Sequence, residues 1–215
     1  MSKKEALTQF HKDSIADAAD ILFQQNGIEK TTMDDVARLA EYSKRTVYVY
    51  FKSKDEIYHY IIHKAMKMLH ERIVAGISSN VHPVKQYQGV CFELSAFAEE
   101  NPFYYQSLTE TIAADPTSRG ENQTLESIYQ VGEQINQTIE DMLNNGIEQG
   151  VFRDDAGGAQ VGIFCWAALS GVILLANNKE QYIQQRLGLN KKAFLEYSFN
   201  NLLKSIVKED GGLNE

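Results

Sequence analysis

The sequence predicts an all-α fold, and three observations carry that expectation. Only three prolines interrupt 215 residues, and long stretches free of a residue that breaks the i→i−4 hydrogen bond favour helix. Apolar residues recur at helical spacing, as in Ile15, Ala18, Ala19, Leu22 and Phe23. Start signals stand where such patterns begin. Thr32 precedes Asp35, and Ser53 precedes Glu56, by the three residues at which two side chains cap a helix N-terminus reciprocally.

Taken in order, residues 5–25 read as an amphipathic helix that Gly27 ends. Thr32 opens a short helix through Met33, Val36, Ala37 and Ala40. After a break at Glu41–Tyr42, Ser43 caps a second short helix from Lys44 to Tyr50. The Ser53 capping box starts a long helix running to about Ser79. Pro83 and Asn101-Pro102 each mark a further start, with Asn101 as the cap, and Asp115-Pro116 ends a short aromatic helix. From about Gly120 to Gln149, Ile128, Val131, Ile135, Ile139 and Leu143 line one side of a polar-faced helix. Gly150 and Gly157–Gly158 bracket a loop, and the tail from Lys208 to Glu215 is polar enough to fray.

The last two helices are the most apolar. Gly157 to Asn178 contains no charge, and a helix apolar all round must be covered on every side. The final helix carries Phe194, Leu195, Tyr197, Phe199, Leu202, Leu203 and Ile206. Covering both is easiest across a two-fold axis, so a homodimer through about 157–178 and 190–208 is expected, with an ordinary intrachain core as the alternative. The apolar run Val161–Ala176 falls short of the ~20 residues a bilayer span needs. No signal peptide is evident, and Cys91 and Cys165 lack a CxxC spacing. A cytoplasmic protein with no membrane partner follows.

Charge is distributed unevenly. The net charge is -8, yet residues 30–54 hold six Lys or Arg against three acids. A single basic region on an otherwise acidic chain suits a protein that touches a polyanion with one surface. That region contains two short helices joined by a tight turn, the helix-turn-helix arrangement whose second helix enters the major groove of DNA. Val36, Ala37, Val47 and Phe51 provide a small core. Lys44, Arg45 and Thr46 fall on the first turn of the second helix, Tyr48 and Tyr50 offer hydroxyls to phosphate, and Lys54 offers another cation. Thr32 joins this DNA-binding set from the start of the first short helix. Arg45 is the candidate for reading guanine through O6 and N7.

Residues 15–57 resemble the N-terminal DNA-binding region of the tetracycline-repressor (TetR) family of bacterial regulators. The resemblance runs through Ile15, Ala18-Ala19, Leu22-Phe23, Gly27, Thr31-Thr32-Met33, Val36-Ala37, Ala40, Ser43-Lys44, Thr46-Val47-Tyr48, Tyr50-Phe51 and Lys54-Asp55-Glu56-Ile57. Two positions depart from it: that family often has glycine where Glu41 and Arg45 stand, which implies backbone strain at Glu41 and a different set of base contacts at Arg45. The resemblance implies a helix-turn-helix domain over residues 1–53 and a helical effector-binding and dimerisation domain over 54–210. It further implies a regulator, usually a repressor, that leaves its operator when a small-molecule effector binds.

For the effector site the candidates are His70, Phe92, Phe97, Phe103, Tyr105, Tyr129 and Trp166, aromatics able to stack on a flat or cationic molecule. Plain core is the competing reading for each. Glu56, His59 and His63, with His70 further on, form one E-x-x-H and no second one, so solvated or pocket-lining histidines are expected and no metal or other cofactor. A helical-bundle enzyme is the rival class. The sequence shows no nucleophile elbow, phosphate loop or full metal set, and a non-enzyme is expected.

Overall fold

The computed structural model describes residues 2–109 and 123–208, and among these ten helices account for the architecture. They are α1 (Lys3–Asn26), α2 (Met33–Leu39), α3 (Lys44–Tyr50), α4 (Lys54–Ser78), α5 (Pro83–Glu100), α6 (Pro102–Thr109), α7 (Gln123–Glu148), α8 (Ala159–Asn178), α9 (Glu180–Leu187) and α10 (Lys191–Ile206). The fold is all-α, with one isolated antiparallel bridge between Phe152 and Val207 among the described residues. The helix end expected at Asp115-Pro116, the start near Gly120 and the tail beyond Lys208 lie outside the described residues.

Capping explains most boundaries. Ser2 accepts from the Glu5 amide while Glu5 accepts from Ser2, so α1 begins two residues before its apolar pattern does. Thr32 and Asp35 form the same reciprocal box on α2, and the Ser43 hydroxyl accepts from the Thr46 amide on α3 at 3.0 Å. The start expected at Asn101-Pro102 is where α6 begins, and the Asn101 carbonyl accepts the Tyr105 amide at 2.9 Å. The Asn101 side-chain amide also donates to the Phe97 carbonyl at 3.3 Å, closing the C-terminus of α5. The short helix α9 was absent from the sequence reading; it stops at Gly188, whose φ of 70° is the left-handed conformation that ends helices.

Two compact units emerge, residues 2–65 with 123–129 and residues 66–109 with 130–208. In the first, α1 packs on α2 and α3 around Ile15, Ala19, Phe23, Val36, Val47, Phe51 and Ile57, all fully buried. Polar contacts tie α4 to α1. Lys64 Nζ lies 2.6 Å from Asp13 Oδ1, and the Tyr60 hydroxyl donates to the same oxygen at 3.0 Å. Burial pushes the Asp13 carboxyl up, but hydrogen bonds from Lys64, Gln9 and Tyr60 outweigh it and hold the carboxyl below its ordinary value.

In the second unit α8 packs against α5 and α10. Helices α4 and α5 cross at Gly76 and Gly89, where a Cβ on Gly89 would stand 2.4 Å from the Gly76 carbonyl oxygen. At the end of α7, Gly146 leaves room for the buried Phe152 ring, and its carbonyl accepts the Val151 and Phe152 amides. Helix α8 differs from expectation in its length. It spans 20 residues with a mean hydropathy of 2.0, so length and composition alone suffice for a bilayer crossing. Within one subunit it is covered over part of its surface. Cys165, Leu169, Ile173 and Ala176 are buried, whereas Ile163 and Phe164 are 58% and 56% exposed.

Candidate nucleic-acid interface

The turn between α2 and α3 fixes how the second helix is presented. The Tyr42 amide donates to Ala37 O at 3.0 Å and the Glu41 amide to Arg38 O at 3.3 Å. This double closure requires a left-handed residue at Glu41, where φ is 59°. The strain expected at this position is therefore present, in a side chain that lacks glycine's freedom. Tyr42 is held in turn: its hydroxyl meets His11 Nδ1 at 2.7 Å, and the His11 ring lies 5.3 Å from that of Tyr50. Helix α3 is thus pinned to α1 from the turn side.

At 100° per residue, the seven residues of α3 divide cleanly. Val47 is fully buried, and Thr46 and Tyr50 are half-buried. Lys44, Arg45, Tyr48 and Val49 form one exposed stripe on the opposite side. The four residues cover roughly 140° of the circumference, a face that a groove can receive.

The sequence-selected side chains are not equally available. Arg45 is exposed and makes no ion pair among the described residues. Lys44 Nζ lies 2.6 Å from Asp34 Oδ1, and the hydrogen bond to that carboxylate raises its pKa above the ordinary lysine value. Thr46 Oγ1 shares a 2.7 Å hydrogen bond with Ser43 Oγ, and Thr32 Oγ1 donates to Asp35 at 2.6 Å, so both hydroxyls act in caps. Tyr48 is exposed, while Tyr50 leans on His11. Lys54 folds back: its ammonium donates to the carbonyls of Ile28 at 2.9 Å and Glu29 at 3.2 Å. Sequence reasoning missed Val49, and it missed the His11–Tyr42 brace. Val49 was legible as the residue one turn beyond Arg45; the brace was not, because its partners lie 31 residues apart.

The effector candidates disperse. Phe97 and Tyr105 are fully buried with ring centroids 6.5 Å apart. The Tyr105 hydroxyl has no hydrogen-bond partner among the described residues, and burial pushes its pKa up to about 12. Phe103 and Trp166 are half-buried, and His70 Nε2 lies 3.0 Å from Thr138 Oγ1. Phe92 departs from the expectation that it joins this set. It is 68% exposed and lines a surface groove of about 1050 Å³ with Tyr87, Cys91, Leu195 and Phe199. Tyr129 falls in the first compact unit and is exposed. Among the described residues no group of three or more His, Cys, Asp or Glu could hold a metal ion. His59 is half-buried with an unpartnered Nδ1, and burial lowers its pKa.

Residues 15–61 match the family model described as bacterial regulatory proteins, tetR family. This stretch contains the helix-turn-helix and the start of α4, while His11 of the brace lies just before it. The HTH-type transcriptional repressor KstR2 of Mycobacterium tuberculosis is 25% identical over 147 residues, covering 67% of this chain and 70% of the relative. Residues 15–61 thus match the DNA-binding region of the TetR family, and the chain is similar to regulators of that family.

Other relatives place the similarity more broadly. The biofilm operon regulator IcaR of Staphylococcus aureus is 29% identical over 89 residues, 41% of this chain and 48% of that protein. The solved structure of KstR2, described as a ketosteroid transcriptional regulator, matches with a TM-score of 0.63 at 21% identity, over 92% of this chain and 95% of that one. The fatty acid degradation regulator FadR of Bacillus halodurans gives 0.68 at 14% identity, over 90% and 94%. These structures share the TetR fold across nearly the whole length. The family-model match and the repressor relatives make the chain a transcriptional regulator with a DNA-binding helix-turn-helix.

Proposed function

We propose that this TetR-family regulator is a sequence-specific repressor, released from its operator when a small apolar molecule occupies its C-terminal domain. The exposed stripe Lys44-Arg45-Tyr48-Val49 on a braced helix carries the reading, because it offers a base-reading guanidinium with no ion-pair partner among the described residues. Lys44, held by one exposed carboxylate, exchanges that partner for phosphate at small cost, since such surface pairs contribute about 0–1 kcal/mol. Lys54 supports the same surface by holding the loop after α1, and Thr32, Thr46, Tyr48 and Tyr50 border it.

The working form is a homodimer through about 157–178 and 190–208. Ile163, Phe164 and Leu175 leave an apolar stripe on α8, and Gly171 within it meets nothing within 4 Å of a built Cβ, so a second helix can approach closely. The domains are assigned as 1–53 for DNA and 54–210 for effector and dimer contacts, and the protein works in the cytoplasm, where its operator is. KstR2 and FadR are described by ketosteroids and by fatty acid degradation, which supports an effector that is largely hydrocarbon with few polar groups. Phe97, Phe103, Tyr105, Trp166 and His70 are its proposed contacts. No catalytic role or cofactor is assigned.

The experiment is selection of bound duplexes from a randomised pool, followed by fluorescence anisotropy on the winner between 50 and 200 mM salt. A defined consensus and a steep fall in affinity with salt are expected, at a log–log slope of about −0.9 per phosphate neutralised. Selection without a consensus, or a flat salt dependence, overturns the reading.

A further inference from the structure

Val49 is the one member of the exposed α3 stripe for which charge or hydroxyl chemistry gives no account. It is 72% exposed, the most exposed large apolar side chain among the described residues of the N-terminal unit. Single exposed apolar residues are common and by themselves mean little. This one, however, stands on the face that carries Lys44, Arg45 and Tyr48, one helical turn beyond Arg45. A β-branched residue also lowers helix propensity, so it does not serve the short helix it sits in.

We propose that Val49 reads a thymine C5-methyl group in the operator's major groove, beside the base read by Arg45. The proposal rests on the DNA-binding reading above and deepens it by naming a base. The reason is chemical: among the base edges exposed in the major groove, the thymine methyl is the apolar group, while the other edge groups are donors and acceptors that an isopropyl side chain cannot satisfy. Valine's restricted χ1 fixes its methyls in place before contact, so little side-chain freedom is lost on binding. The register follows from helix geometry. Four residues rise about 6 Å, close to two base steps of ~3.4 Å. The thymine therefore lies within about two base pairs of the guanine contacted by Arg45.

The test uses the duplex selected above. Each thymine is replaced singly by deoxyuridine, which deletes only the methyl, and affinity is measured for the wild-type protein and for Val49→Ala. One thymine per half-site is expected to lose about fourfold in affinity on demethylation with wild type, the fold-change that corresponds to ~0.8 kcal/mol for one buried methyl. The same replacement should leave Val49→Ala indifferent. The guanine sensitive to Arg45→Ala should lie within two base pairs. Thermal melting followed by circular dichroism checks that Val49→Ala is folded, as an exposed helical alanine should be. If every thymine matters equally to both proteins, Val49 does not read a methyl, while the selected consensus still stands. If no duplex is selected at all, the DNA-binding reading fails and this one with it.

Discussion

Arg45→Ala separates recognition from stability more cleanly than any other change at this surface. The side chain is exposed and has no ion-pair partner among the described residues. Truncating it should therefore move the urea midpoint by no more than an ordinary surface substitution, within about 0.5 kcal/mol. Its loss at the DNA should be larger. A paired contact to guanine O6 and N7 contributes ~1–3 kcal/mol of discrimination, about 5- to 150-fold in affinity per half-site. Because these bonds go to a base and not to phosphate, the salt slope should hardly change. Lys44→Ala provides the contrast. It also removes the 2.6 Å pair with Asp34, so affinity should fall about equally for all sequences and the slope should shrink by about one unit. Anisotropy on the selected duplex and on a scrambled one, at several salt concentrations, measures both variants. The reasoning is refuted if Arg45→Ala weakens selected and scrambled duplexes alike, or if it unfolds the protein.

Three further outcomes are expected. Gly89→Ala places a Cβ 2.4 Å from the Gly76 carbonyl oxygen; the forced separation of α4 and α5 should cost ~1–3 kcal/mol, partly offset by ~1 kcal/mol of helix propensity, and a lowered urea midpoint at unchanged m checks it. Phe164→Asp on the uncovered α8 stripe should convert the proposed dimer to monomer in sedimentation at micromolar concentration with little loss of helicity; a dimer that survives the charge locates the interface elsewhere. His59 has a pKa lowered from its ordinary 6.5 chiefly by burial, with Asp55 and Glu56 opposing. The unfolded chain thus binds the proton first, so stability should be fully present above pH 6.5 and decline as pH falls through the lower folded value. His59→Gln should flatten that acid limb, and an unchanged slope of midpoint against pH would exclude His59 as its source.

How much of this was legible in the sequence depends on the range of the interaction. Caps at Thr32 and Ser43 are local, three residues from their partners, and the periodic core residues Ile15, Ala19 and Phe23 sit where the pattern puts them. Hence α1 to α4 fall where expected, and the departure at Glu41 correctly signals a left-handed turn. Interactions that join distant segments left no such mark. Lys54 looks from the sequence like a free cation, yet the loop carbonyls 25 and 26 residues earlier hold it. Phe92 and Phe97 are both aromatics of α5, but their separation of five residues turns one to solvent and the other to the core. Asn101-Pro102 marks a start that α6 takes up, but the bond from the Asn101 side-chain amide back to Phe97 of the earlier helix left no sign in the sequence.

The central claim is that the Lys44-Arg45-Tyr48-Val49 face enters a major groove, twice per dimer. Hydroxyl-radical footprinting of the selected duplex tests this most directly. Two protected patches on one face of the duplex, centred about one helical turn (~34–36 Å) apart and both lost with the Arg45→Ala protein, are the expected result. Uniform protection along the duplex, or patches that survive that substitution unchanged, would contradict the account.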